Sequence, residues 1–410
     1  MVLAATFVLA MACSRESPVP AENEGNTVTG TAATADADAV DVAVPMGTDD
    51  PAAREQERFD DQWRGLSGFS SVQQAMPQGA AAPAVAVTFV QDGKESFKGL
   101  ASAAAINGAP VVVPLKGDVS GPSVLKTQVY LDRNHFSVGV LDGRWGRNTA
   151  IALWWYQRSR GIEAAEPGAL DEQTFRALAA AAGGVPALVE HTVTAEDVKG
   201  PFVRIPTDVY EKAKLDCLCY ESVEEKLAEK FHTTVSFLGQ LNEGVKLSEV
   251  REGARLWVPN VRPALTQDQP DIAKVVVSIR GNSFNAFDAG GNLVFHAPTT
   301  LGSKYDPSPN ETVAVKKTVF DPHFHYQPTL FAEVPDDEPE ANLNPGPNSP
   351  VGVVWTALTK PHFGIHGTAE PDSIGYASSH GCVRLTNWDA AEVGHRVTPG
   401  VPVEFLDTRK

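Results

Sequence analysis

Near its C-terminal end the chain reads "HFGIHGTAEPDSIGYASSHGCVRLTNWD" over residues 362–389, with Cys382 two positions after His380 and sixteen after His366. A thiol attacks only as thiolate, and a neighbouring imidazole or basic group lowers its pKa and takes its proton. The set therefore suits nucleophilic catalysis, with Cys382 as nucleophile and His366 as base. His366 ends an apolar run that predicts a strand, where a side chain is firmly held. Gly381 lets the backbone approach a substrate, and the Cys382 amide is placed to help hold a developing oxyanion. His380 and Ser379 would shape that pocket, and Arg384 would fix the site or a substrate carboxylate. Two other readings stand beside this one. A cysteine in a β-rich domain is often just a small buried hydrophobe. A zinc site from His366, His380 and Cys382, helped by "HFH" at 323–325, would also use these residue types, although no fourth ligand or catalytic carboxylate is spaced to complete it.

These residues need a rigid frame, and the surrounding sequence predicts one that is mostly β, over 272–408. The segment "AKVVVSIRGNSFNAFDAGGNLVFHAPTTLG" alternates apolar and polar residues around "DAGGN", a hairpin signal. Further strands are predicted at "ETVAVKKTVF", "VGVVWTAL", "FGIHG" and "VPVEFLD", and one helix at "NWDAAEVGHRV" with Asn387 as N-cap. A segment of this length can build its own core. His362 and His395 read as surface residues.

The motif residues His366, Gly367, Ser379, His380, Gly381, Cys382, Val383, Arg384 and Asn387 stand at the spacing of a known signature, preceded by the Pro/Gly-rich stretch "NPGPNSPVGVVWTAL". This stretch resembles the L,D-transpeptidase catalytic domain of the YkuD type. The resemblance implies a β-sandwich-like domain with one or more helices and no cofactor or metal. It implies a thioester formed by Cys382 with the third residue of a peptidoglycan stem peptide, release of D-Ala, and transfer to an amine. The orienting acceptor for His366 would be the Gly367 carbonyl, while Ser379, Arg384 and Asn387 would contact substrate. Carbapenem acylation of Cys382 is a further implication. The acceptor is left open: a neighbouring stem amine, a lysine of an envelope lipoprotein, or water. A non-catalytic wall-binding protein built on the same scaffold is the alternative of a different class.

Two small modules are predicted upstream. Over 120–182 the sequence reads helix, Gly-rich loop, helix, turn, short helix, and Asp142, Gly143, Gly146, Thr149, Gln157, Leu170, Asp171 and Thr174 match a pattern. Thr149 precedes the apolar run of the second helix. The pattern resembles the three-helix peptidoglycan-binding domain, which implies cell-wall binding. After "AAGGVPALVE", read as a linker, residues 191–262 carry a helical stripe at Val223, Leu227 and Phe231, and a second helix at Val235, Leu238 and Leu241 that ends at Asn242. "GARLWVPN" then predicts a strand. The order resembles a LysM-like α+β module, which implies glycan binding, although no opening strand is recognisable. Cys217 and Cys219 could form a local disulfide, stay as buried thiols, or bind metal.

The formal net charge of -17 argues against nucleic-acid binding. Residues 14–60 carry eleven acidic and three basic side chains, no tryptophan or tyrosine, and long Ala/Thr/Asp runs, so they predict a disordered tether. Residues 61–119 are left unassigned, although "REQERFDDQW" could open a helix and "AVAVTFV" could be a strand. Residues 1–13, "MVLAATFVLAMAC", are too short to span a membrane and predict a secretory signal. The end at Cys13 resembles a bacterial lipobox, which implies a lipid-bearing Cys13 and membrane attachment. Export to the periplasm of a Gram-negative cell, at the outer membrane because Ser14 follows the cysteine, is the corresponding expectation.

Overall fold

The computed structural model describes residues 103–406 apart from 118, 280, 303–306 and 332–333, together with the backbone of 87–91 and 94–97. The signal segment 1–13, Cys13, the tether 14–60 and "REQERFDDQW" lie outside the described residues. The first described elements are an antiparallel hairpin, β1 (Val87–Gln91) and β2 (Lys94–Phe97), and a short helix α1 (Ala103–Gly108), whose Ile106 is fully buried.

Pro122 begins α2 (Pro122–Arg133), where its missing N–H removes no helical bond. Helices α3 (Arg147–Ser159) and α4 (Glu172–Ala181) follow. Every residue of α2 from Pro122 to Asp132 is buried, so the helix runs through an interior. Trp154, Trp155 and Tyr156 are all core. The polar residues of the sequence pattern brace loops. The Gln128 amide accepts from Gly143 N–H at 2.8 Å and donates to Asp142 and Thr149, while Gln157 donates to the Ala169 carbonyl at 2.9 Å and to Thr174. Asp171 caps α4 through Thr174 N–H. Thr149, just before the apolar run, lies buried inside the first turn of α3, whose N-cap position is taken by Gly146.

The expected linker is overturned. Within it begins β3 (Leu188–Thr192), which pairs antiparallel with β4 (Arg255–Pro259). Between them lie α5 (Val209–Lys212), α6 (Val223–Lys230) and α7 (Val235–Leu241), the last two capped by Ser222 and Thr234. The strand was hard to read because only Leu188 and Val189 are apolar, and Glu190, His191 and Thr192 after them show no apolar alternation. Ala187 and Leu188 pack into the same core as α2 and α3, joined by Phe237 and Leu241. Cys217 and Cys219 form a disulfide. Leu218 between them is fully buried against Ala341 and Leu343 of the C-terminal third.

That third contains β5 (Lys274–Ser278), β6 (Ser283–Phe287), β7 (Leu293–Pro298), β8 (Thr312–Phe320), β9 (Phe324–Tyr326), β10 (Ala341–Leu343), β11 (Val354–Leu358), β12 (Gly364–His366), β13 (Val383–Arg384), helix α8 (Asn387–Arg396) and β14 (Pro402–Leu406). Eight strands form one sheet in the order β13-β12-β11-β8-β14-β5-β6-β7, and β9 and β10 form a separate hairpin. A sandwich-like pair of sheets was expected, but a single sheet curls instead. The cause lies in β8, whose start pairs with β14 over Thr312–Ala314 and whose remainder pairs with β11. Residues from both halves, including Val277, Phe295, Val354 and Ile365, share one core with Ala390 and Val393 of α8. Asn387 is not the cap of α8. Thr386 is, accepting from Asp389 N–H, and this frees the Asn387 side chain for other contacts.

The three regions meet at a buried cation. Arg262 pairs with Asp132 of α2 and with Asp389 and Glu392 of α8, all with side chains 6% exposed or less. His232 completes the cluster, bonded to Asp132 at 2.9 Å and stacked on Trp388 at 4.8 Å.

Candidate active site

Cys382 reaches the site through strand register. β12 and β13 run parallel with Ile365 opposite Val383 and His366 opposite Arg384, which brings Cys382, one residue before β13, level with Gly364. β12 is also paired with β11, where Trp355 lies opposite His366 and their rings stack at 5.4 Å. The base is thus fixed from both sides. His366 is 4% exposed, and its Nδ1 is 2.7 Å from the Gly367 carbonyl oxygen. A carbonyl only accepts, so the neutral ring carries its proton on Nδ1 and leaves the Nε2 lone pair free.

The sequence suggested a thiol of lowered pKa, whereas its surroundings in the structure act mainly the other way. Burial pushes the Cys382 thiol up to about 11, against the opposing pull of the Gly364 N–H and the Arg384 guanidinium. Burial, helped by Arg384, pushes His366 down to about 3, against the Gly367 hydrogen bond. The resting pair is therefore neutral thiol and neutral imidazole. The thiol donates to the His362 carbonyl at 3.6 Å, and His362 turns that carbonyl inward from the left-handed region at φ 66°. Alkylation of Cys382 by iodoacetamide, followed by intact mass, should accordingly speed up about tenfold per pH unit between pH 7 and 10. A rate already flat from pH 5 to 8 would mean a preformed thiolate–imidazolium pair instead.

The loop before the thiol is tied from several directions. Ser379 N–H donates to Leu301, and its hydroxyl donates to the Cys382 carbonyl at 2.7 Å. Ser308 donates to the Gly381 carbonyl at 2.8 Å. Gly381 has φ 99°, and a Cβ there would stand 2.7 Å from the Phe363 ring, so this position requires glycine. Ser379 is 3% exposed and its hydroxyl is engaged, so it shapes the loop rather than lining a substrate groove. His380 is exposed and edge-on to Phe331 at 4.9 Å. His325 of "HFH" pairs with Glu340 beside the β9–β10 hairpin.

Arg384 lies close enough to Glu370 and to the Cys382 sulfur for its charge to act on both groups. Its buried Nε has no hydrogen-bond partner, and its backbone pairs with Thr300. Asn387 was expected to touch substrate but is 2% exposed. Its Oδ1 accepts from Val353 N–H at 3.2 Å, and its Nδ2 donates to Pro347 at 3.1 Å and to Glu229 at 3.0 Å. It supports Gly367 from behind: a Cβ on Gly367 would be 2.1 Å from Asn387 Oδ1. Sequence reasoning missed Gly364, Trp355, Thr300, Leu301 and Ser308. Most of them act through backbone groups or ring faces, and no residue-type pattern reports these.

Residues 273–405 match the family of the L,D-transpeptidase catalytic domain, YkuD. Over 183 residues the chain is 29% identical to "Putative L,D-transpeptidase YkuD" of Bacillus licheniformis, covering 44% of this chain and 92% of that protein. It is 45% identical over 62 residues to the Bacillus subtilis protein of the same name, covering 15% and 38%. To "Probable L,D-transpeptidase YbiS" of Escherichia coli it is 27% identical over 188 residues, covering 45% and 60%. Residues 273–405 are thus similar to the L,D-transpeptidase catalytic domain.

Proposed function

We propose that the protein is a peptidoglycan L,D-transpeptidase working through a Cys382 thioester. What supports the reading is the register that brings Cys382 to the start of the strand paired with the one ending at His366, together with the Gly367 carbonyl that holds His366 Nδ1. Because thiol and imidazole rest neutral, proton transfer accompanies attack rather than preceding it. Cys382 Sγ attacks the carbonyl carbon of the third stem residue while His366 Nε2 takes the thiol proton. The C–N bond to D-Ala breaks, and the imidazolium returns the proton to the leaving amine. An incoming amine then attacks the thioester, gives a proton to His366, and expels the sulfur, which is reprotonated. The unpartnered Nε of Arg384 suits a stem carboxylate or the developing oxyanion.

In this reading the amine comes from a neighbouring stem, giving a 3→3 cross-link, or from an envelope lipoprotein. The three-helix region at 120–182 is a peptidoglycan-binding module, and the β3–α6–α7–β4 unit is a LysM-like glycan-binding module. Together they raise the local concentration of enzyme on the wall. The protein is exported to the periplasm and anchored at the outer membrane by lipid on Cys13.

The test is incubation of the full chain with disaccharide tetrapeptide muropeptides, with Cys382→Ala alongside. Expected products are free D-Ala and cross-linked dimers, both absent with the variant. Tripeptide alone would move the assignment to an L,D-carboxypeptidase. Unchanged tetrapeptide with no carbapenem adduct on Cys382 would leave a wall-binding protein.

A further inference from the structure

We propose that Glu229, which lies on α6 outside the catalytic domain, is a positioning residue for the base: it fixes the Asn387 amide, and Asn387 fixes the Gly367 peptide that aims His366. The inference rests on the reading of His366 as base. Glu229 and Asn387 are 158 positions apart in sequence, yet Asn387 Nδ2 donates to Glu229 Oε2 at 3.0 Å. The other Glu229 oxygen accepts from the Tyr220 hydroxyl at 2.8 Å, so both ends of the carboxyl group are held. A second contact from the same helix, Asn348 Nδ2 to Glu225 at 2.8 Å, keeps α6 against the catalytic domain.

The chemistry of a primary amide shows why an acceptor is needed here. Nδ2 has two protons and Oδ1 has none, so the two ends are not interchangeable. On one side of Asn387, Val353 N–H requires an acceptor, and Oδ1 meets it at 3.2 Å. On the other side Nδ2 gives one proton to the Pro347 carbonyl and the other to Glu229. Without Glu229 a buried N–H loses its partner and the amide is freer to flip, which would set Nδ2 against the Val353 N–H. That flip would be felt at the base. Oδ1 is so close to Gly352 and Gly367 that a Cβ on either would lie about 2 Å from it. The Gly367 peptide seated there carries the carbonyl that accepts from His366 Nδ1. Burial pushes the Glu229 carboxyl up to about 7, against the Tyr220 and Asn387 hydrogen bonds. Protonated or not, one of its oxygens can still accept from Asn387, so shape and acceptor matter here more than charge.

The full chain carrying Glu229→Ala or Glu229→Gln separates these roles. Nitrogen-15 imidazole NMR reads the His366 tautomer, and D-Ala release reads kcat and KM. Expected for alanine are a loss of the single Nδ1–H form and a kcat lowered about ten- to a hundredfold at unchanged KM, the range for a misaimed catalytic group. Glutamine keeps an acceptor for Asn387, and its amide N–H can donate to Tyr220, so it should retain the tautomer and stay within about threefold of the parent kcat. An alanine variant with unaltered tautomer and kcat overturns the proposal. So does a glutamine variant that falls as far as alanine with the same drop in Tm, because that would mean a purely structural role. If the parent protein releases no D-Ala, the functional reading fails, and the NMR arm still decides the role of Glu229.

Discussion

His366→Ala is expected to lower kcat/KM for D-Ala release by about three orders of magnitude, within the range for loss of a general base. The groups described in contact with the thiol offer no base of their own. The His362 carbonyl holds that proton at 3.6 Å but is not basic, and Arg384 is a cation. The neutral resting pair makes the dependence sharper. With the thiol pushed up to about 11, almost no thiolate exists at pH 7 unless a base acts during attack. His366→Ala and Cys382→Ala together should be no worse than Cys382→Ala alone, because the two side chains act as a unit. His366→Gln preserves much of the volume beneath Trp355 and should be nearly as inactive as alanine. A glutamine variant with substantial activity would show that the ring serves packing rather than proton transfer. Turnover of tetrapeptide muropeptides, with Tm recorded for each variant, decides between these.

The second large effect is expected at Arg262. Its guanidinium is 3% exposed and faces Asp132, Asp389 and Glu392, which come from two different regions of the chain. Burial works against the ionised form of Asp132, yet Arg262 and His232 together hold its carboxyl below the usual range. Burial works the same way on Glu392, and Arg262 and His135 hold it low as well. Arg262→Met removes the shared cation and leaves buried carboxylates facing one another. Breaking such a buried network by removing one partner costs about 3–5 kcal/mol. Thermal unfolding should fall by roughly 10 °C, given a few degrees per kcal/mol for a unit of this size. Arg262→Met combined with Asp132→Asn should recover part of the loss, since one uncompensated charge goes with it. A single variant that melts within a degree or two of the parent would show that the carboxyls simply take up protons at little cost.

The two predictions fall on opposite sides of what could be read from the amino-acid string. Cys382, His366 and Gly367 can be singled out from the string because acyl transfer needs a thiol, an imidazole and an orienting acceptor at restricted spacing, and a local motif carries that spacing. The helices at 122–133, 147–159, 172–181, 223–230 and 235–241 were legible because apolar periodicity and turn-forming residues are local signals. By contrast, β3 was taken for a linker, because a five-residue strand shows its identity only when β4, more than sixty residues on, pairs with it. Asn387 was placed on the substrate and as a cap, since its motif position says nothing about where its amide points. Arg262 carries no signal at all in "NVRPAL", because its partners lie 127 to 130 positions away. The sequence by itself determined which atoms could do chemistry and which segments had to be helix or strand, because both follow from residue type and short-range spacing. Only the tertiary structure decided that burial raises the pKa of the thiol, that a helix from a separate region holds Asn387, and that one arginine joins three regions. Burial and long-range contact set pKa values and hydrogen-bond partners, and neither exists until distant parts of the chain are packed together.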